Sequence, residues 1–222
     1  MLSDDKKTIR AFMLTGLLLF TLFLISYFLD DQQRKCMLEE GGLIESATAL
    51  GYFLCIVVMI YRGRLTYIKN NHPLFLLIIF FMLRELDFHT RFTTTGILKI
   101  RFFTSAQVPL TEKVIGLVVI AILLYVVLMI LHSHLRDFLM NLRKKDTLSI
   151  GVFITCALLA ISQIFDGFDK KLMRLGVEVS TKLSQTATAL EEIAELGIPL
   201  IIFITLITYF RKTQSSKKYS SS

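Results

Sequence analysis

The sequence predicts an all-α integral membrane protein, a bundle of six transmembrane helices with both termini in the cytoplasm. Three observations support this fold class: the apolar composition, the lengths of the apolar segments and the distribution of basic residues. Hydrophobic residues make up 54% of the 222 residues, whereas soluble domains average about 45–50% even when glycine is counted. A soluble core of this size could not bury the surplus. The composition therefore excludes a soluble enzyme, a secreted disulfide scaffold and a disordered chain.

Six apolar segments are assigned as membrane spans, because roughly 20 apolar residues in a helix cross the hydrocarbon core of a bilayer. The third segment reaches that length only if its helix continues past Arg84; a re-entrant segment is the alternative and would leave an odd number of crossings. Residues 1–210 are predicted to form a single membrane domain. Residues 211–222 are predicted to form a disordered, basic cytoplasmic tail. The predicted spans are 11–29, 43–61, 73–92, 114–135, 148–165 and 193–210.

The basic residues predict the orientation. With six spans, the termini and two short connections share one side, and these 45 residues hold 14 of the 25 Lys and Arg residues. The 70 residues of the opposite loops hold 11. The positive-inside rule therefore predicts cytoplasmic termini. Attraction to anionic lipid explains the basic side without a nucleic-acid partner. The lipid bilayer is the expected partner, and a homo-oligomer or a partner membrane protein is left open.

Cysteine and histidine residues form no recognisable catalytic or metal motif. The three cysteines lack a paired C-x-x-C spacing. The chain also contains no G-x-S-x-G, P-loop or H-E-x-x-H motif. Among the four histidines, only His89 is predicted to reach the non-cytoplasmic side. The sequence therefore gives no direct sign of a hydrolase, a nucleotide-binding enzyme or a zinc protease.

Acidic residues are concentrated at the non-cytoplasmic ends of the predicted spans. A charge at the centre of the bilayer costs about 2.5–3.5 kcal/mol on insertion scales, so such residues usually face the interior of the bundle. The sequence therefore predicts a carboxylate-rich polar cavity that opens to the non-cytoplasmic side. Its predicted lining consists of eight residues: Glu45, Arg84, Glu85, Asp87, His89, Asp166, Glu192 and Glu195.

Arg84 is expected to pair with a carboxylate of another helix, and Glu45 and Glu195 are the candidates. The helix dipole favours acidic residues where the second and sixth spans begin, but it disfavours Glu85 and Asp87, which close the third. Those carboxylates need a salt-bridge partner or a bound cation. A divalent metal ion is the one cofactor suggested, and its candidate ligands are Glu85, His89 and Glu195. Candidate contacts for an anionic group or headgroup are Arg91, Lys99 and Arg101.

Three functions are compatible with this pattern. The favoured one is the binding or transport of a cation, a proton or a cationic solute by the carboxylates. The second is a membrane-embedded enzyme that acts on a lipid-linked substrate, with Glu85 or Glu195 as general base. The third is a structural or assembly protein whose charges pair internally. Whether the protein is an enzyme is not decided by the sequence.

Three short acidic motifs begin or end predicted spans: EEGGLIE at 39–45, RELD at 84–87 and LEE at 190–192. In these motifs the chain resembles uncharacterised bacterial multi-pass inner-membrane proteins, over residues 37–210. The resemblance implies the bacterial inner membrane as the location. It implies no activity, cofactor or catalytic residue.

Overall fold

The computed structural model describes residues 2–38, 41–88, 96–97 and 100–220. All regular secondary structure in these ranges is α-helical and forms nine helices. They are α1 (Leu2–Phe28), α2 (Asp31–Leu38), α3 (Leu43–Asn70), α4 (His72–Glu85), α5 (Ile100–Thr104), α6 (Leu110–Arg143), α7 (Thr147–Phe165), α8 (Phe168–Arg174) and α9 (Thr181–Ser220).

Five of the described helices are long and apolar enough to cross a membrane: α1, α3, α6, α7 and α9. Helix α6 illustrates why a membrane is needed, because Gly116 and Val126 are its buried residues while most of its leucine and valine side chains are exposed. A helix that is apolar on all sides is stable only inside a large core or in lipid. The protein is therefore a helical, multi-pass membrane protein.

Helix α4 is shorter than the predicted third span. Its 14 residues extend about 21 Å at 1.5 Å per residue, against a hydrocarbon core of about 30 Å. The predicted continuation of this helix is interrupted before His89, because Asp87 adopts a left-handed conformation with φ 53°. A positive φ interrupts a right-handed helix, as it also does at Arg64 (φ 59°), where α3 is kinked. Residues 89–92 of the predicted span lie outside the described residues.

Contacts between distant segments identify one end of the bundle, here called the terminal end. The Lys212 ammonium lies 2.9 Å from Asp5 and 3.2 Å from Asp146. Nearby, the hydroxyls of Thr8 and Thr208 are 3.0 Å apart. The beginning of α1, the α6–α7 connection and the last part of α9 therefore meet, and the first and last helices have their outer ends on the same side of the bundle.

Helix α9 also extends beyond the predicted sixth span. It begins at Thr181 and continues to Ser220, whereas the sequence predicts a disordered tail over 211–222. Lys212 binds two carboxylates and the hydroxyl of Thr213 donates to the carbonyl of Tyr209 at 2.9 Å, so the first residues after the predicted span are held in the helix. The last two residues lie outside the described ranges.

Helix α9 forms the centre of the bundle, because α1, α3 and α7 all pack against it. At the crossing with α3, a Cβ atom on Gly51 would lie 2.9 Å from the Cβ of Pro199. The Cys55 thiol of α3 donates to the Pro199 carbonyl at 3.4 Å. Pro199 has no N–H group, so the carbonyl of Glu195, four residues earlier, loses its usual helical donor. The two helices are thus in tight contact one turn from Glu195, a candidate site residue.

Candidate functional site

The candidate site is built on an ion pair between α4 and α9. Arg84 Nη2 lies 2.5 Å from Glu195 Oε1, and the same oxygen accepts a hydrogen bond from the Ser162 hydroxyl of α7 at 2.7 Å. Glu195 and Ser162 are both buried. One carboxylate oxygen therefore joins three helices. The expected pairing of Arg84 with a carboxylate of a neighbouring helix is confirmed, with Glu195 as its partner.

Arg84 also faces a second carboxylate. Its Nη1 atom lies 3.9 Å from Oε1 of Glu85, which is buried although it ends α4. A guanidinium group carries donors on both amino nitrogens and can serve two acceptors at once. Arg84 therefore lies between the carboxylates of Glu85 and Glu195.

Two more carboxylates surround this pair. Glu45 of α3 and Glu192 of α9 are half-buried and lie within electrostatic range of Glu85. The Glu45 carboxylate accepts a hydrogen bond from the N–H of Gly41. Within the described part of the chain, Glu192 makes no ion pair. We call the group of Arg84, Glu45, Glu85, Glu192 and Glu195 the Arg84 cluster.

Sequence reasoning did not single out two residues at this site, Ser162 and Tyr52. Ser162 supplies the hydrogen bond to Glu195, and Tyr52 is a fully buried residue of α3 within electrostatic range of Glu85 and Glu195. The Tyr52 ring packs against Phe81, with ring centroids 5.7 Å apart. The sequence feature that could have identified either residue is a single polar side chain inside an apolar span. That signal is weak, because serine and tyrosine are common in such helices.

The remaining predicted lining residues are not gathered at the Arg84 cluster. Asp166 is exposed at the end of α7 and lies within electrostatic range of Glu191, whose negative charge it repels. Asp87 lies beyond the end of α4, within electrostatic range of Glu85. Arg101 belongs to α5, but its side chain is not among those that the structure describes. Three predicted residues lie outside the described ranges: His89, Arg91 and Lys99.

The structure does not support the predicted cavity or a metal centre at this position. Two cavities in the described ranges lie elsewhere, one between α1, α2 and α9 and one beside residues 173–179. No three His, Cys, Asp or Glu side chains are grouped to hold a metal ion in the part of the chain that is described. Of the three predicted ligands, Glu85 and Glu195 face the Arg84 guanidinium instead.

The fold and the cluster define the class of the protein as a helical, multi-pass membrane protein with a buried ion-paired site. Comparisons with known proteins assign it to no family: no family model matches the chain, and neither does any curated protein or solved structure. The resemblance to bacterial inner-membrane proteins therefore stays a prediction. The chemistry of the Arg84 cluster is the basis on which a function can be proposed.

Proposed function

We propose that this protein binds and transports protons, or a cationic solute, through the Arg84 cluster. The observation that carries the proposal is the imbalance of charge at the site. Among the described residues, Arg84 is the one basic side chain in ion-pair contact with the cluster, which contains four carboxylates. A single guanidinium cannot neutralise four carboxylates in a poorly solvated interior. No second cation in the described part of the chain balances the remaining negative charge, and bound protons or a bound cation would do so.

Protons fit this geometry better than a metal ion. A metal ion needs several ligands that converge on one point, whereas Arg84 already occupies the position between Glu85 and Glu195. A proton needs only one carboxylate oxygen. A cationic solute is the second possibility within the same proposal, and it would have to compete with Arg84 for Glu195.

The proposed transport function is tested by Glu85→Gln and Glu192→Gln, which remove exchangeable protons while preserving side-chain size. In proteoliposomes that contain a pH-sensitive dye, we expect proton movement driven by a membrane potential in the wild type and its loss in both variants. Infrared difference spectra between acidic and alkaline pH should lose one carboxyl band in each variant. The matched control is Glu178→Gln, since Glu178 is exposed and outside the cluster. Equal proton movement in all four proteins would contradict the proposal.

A structural role is the second candidate function, and a specific observation favours it. A single oxygen of Glu195 connects α4, α7 and α9 through Arg84 and Ser162. If this connection is the whole purpose of the cluster, the Gln variants change stability but move no fewer protons than the wild type. The proteoliposome measurement therefore separates the two functions.

We further propose that the protein lies in the bacterial inner membrane with six crossings, the third formed by α4 and the residues that follow it. Two observations support this topology. The contact between Asp5 and Lys212 brings the first and last helices to one end, as an even number of crossings requires. The basic residues are also concentrated in the segments of that end, which the positive-inside rule assigns to the cytoplasm. Local thinning of the bilayer accommodates a short helix at modest cost.

Cysteine labelling tests this orientation. Cys36 in α2 is exposed, and we expect it to react with a membrane-impermeant maleimide in intact spheroplasts. A Lys145→Cys variant that also carries Cys36→Ser, with its new cysteine at the α6–α7 connection, should react only after the membrane is permeabilised. Cys36→Ser serves as the control for background labelling, since Cys55 is buried and Cys156 lies in apolar α7. The opposite pattern of protection would contradict the proposed orientation.

A further inference from the structure

A cavity of about 270 Å³ lies between α1, α2 and the beginning of α9, at the end of the bundle opposite the terminal end. It is separate from the Arg84 cluster, with which it shares no lining residue. Its walls combine aromatic and small apolar side chains with charged ones. The lining residues that matter for its chemistry are Phe23, Tyr27, Asp31, Arg34, Lys182 and Ala189.

Arg34 is held rigidly at one wall of this cavity. Its Nε donates to the carbonyl of Ser26 at 3.1 Å and its Nη2 to the carbonyl of Leu29 at 2.9 Å. Its Nη1 donates to the side-chain oxygen of Gln185 in α9. These bonds use three of the five N–H groups of a guanidinium. Arg34 therefore caps the C-terminal end of α1 and still has two fixed donors.

Lys182 adds a second positive charge to the cavity. It lies in the first turn of α9 and is exposed, and it makes no ion pair with another residue in the described ranges. Lysine and arginine donors together form charge-assisted hydrogen bonds with phosphate oxygens. This wall of the cavity is therefore suited to a phosphate group.

A negative charge stands next to these donors. The Asp31 carboxylate lies 3.7 Å from Arg34 Nη1, and its side chain is 80% exposed. It accepts a hydrogen bond from Gln185 Nε2 at 3.0 Å, which fixes its position. A ligand that carries a phosphate and an ammonium group a few bonds apart would satisfy both signs of charge.

The apolar wall continues onto the surface that faces lipid. Tyr27 lines the cavity and is 65% exposed, and its neighbours Leu24 and Phe28 on α1 are exposed as well. Because this surface lies at the end of an apolar helix, acyl chains can pack along α1 while the polar group enters the cavity. The continuity favours a lipid over a free phosphate ester.

We propose that this cavity binds the headgroup of an aminophospholipid of the phosphatidylethanolamine class. The phosphate accepts hydrogen bonds from Arg34 and Lys182, and the ammonium group pairs with Asp31. The bound lipid bridges α1, α2 and α9. This site is independent of proton binding by the Arg84 cluster.

Lipid binding to the purified, delipidated full-length protein tests this site. Native mass spectrometry should detect retention of added phosphatidylethanolamine in preference to phosphatidylglycerol, which lacks an ammonium group, and to phosphatidylcholine, whose ammonium cannot donate. Lys182→Gln is expected to weaken binding about fivefold, the effect of losing one exposed ion pair. Asp31→Asn should remove the preference over phosphatidylglycerol. The matched control is Lys170→Gln, because Lys170 is exposed on α8 and does not line the cavity.

Three results would overturn the inference. One is equal retention of the three lipids by the wild type. Another is unchanged binding by Lys182→Gln relative to Lys170→Gln. The third is equally tight binding of glycerophosphoethanolamine, which has the same headgroup without acyl chains and would identify a soluble phosphate ester as the ligand.

Discussion

Arg84→Ala is expected to lower the free energy of unfolding by about 3 kcal/mol. Removing one partner of a buried ion pair typically costs about 3–5 kcal/mol, because the other charge stays buried without compensation. We expect the lower part of that range, since 33% of the Arg84 side chain is exposed. Among the described residues, the loss leaves Glu195 with the Ser162 hydroxyl alone and leaves Glu85 without a cation in ion-pair contact. Denaturant unfolding in a mild detergent measures the change.

The control for this prediction is Arg62→Ala, because Arg62 is exposed on α3 and distant from the cluster. Exposed substitutions of this kind usually change stability by less than about 0.5 kcal/mol. The double variant Arg84→Glu, Glu195→Arg should recover part of the lost stability, since it restores the pair in reverse. If Arg84→Ala were no more harmful than Arg62→Ala, the ion pair would not hold the helices together.

Gly51→Ala is the second substitution with a large expected effect, a loss of about 1–3 kcal/mol from overpacking. The added Cβ would lie 2.9 Å from the ring of Pro199. A proline ring has no alternative rotamer that moves it away, and Pro199 is buried. Helices α3 and α9 would have to separate at this contact. Thermal unfolding in detergent, combined with the denaturant curve, measures the loss.

Gly16→Ala is the matched control, because a Cβ on Gly16 meets no atom within 4 Å. Both substitutions gain the helix propensity of alanine over glycine, about 1 kcal/mol. We therefore expect Gly16→Ala to be neutral or stabilising. A Gly51→Ala protein as stable as Gly16→Ala would mean that the crossing of α3 and α9 is loosely packed.

The parts of the fold that could be predicted are those with a strong local cause. An apolar segment such as 114–135 has to be a membrane helix, because in lipid the backbone N–H and C=O groups of a single segment find hydrogen-bond partners only within a helix. The pairing of Arg84 was predictable for a related reason, since a guanidinium at that depth needs a carboxylate. The short length of α4 was not predictable, because the turn at Asp87 has no proline or glycine to signal it.

The details of the site depended on contacts that carry no sequence signal. Arg34 and Gln185 are 151 positions apart, and each is an ordinary polar residue in its own segment. The predicted cavity is not supported for a similar reason: charge count alone does not distinguish residues that line a space from residues that pair directly. Glu195 and Arg84 pair directly.

The central position of α9 also determines the order in which the molecule can be completed during biosynthesis. Helices α1, α3 and α7 all pack against a helix that the ribosome makes after them. Until residues 181–220 emerge, the earlier helices lack their common partner, and Asp5 has no Lys212 to bind. The bundle is therefore completed only once α9 has been made, although α3 and α4 can pack together before then. A nascent chain truncated before α9 should be a substrate for membrane quality control rather than a stable intermediate.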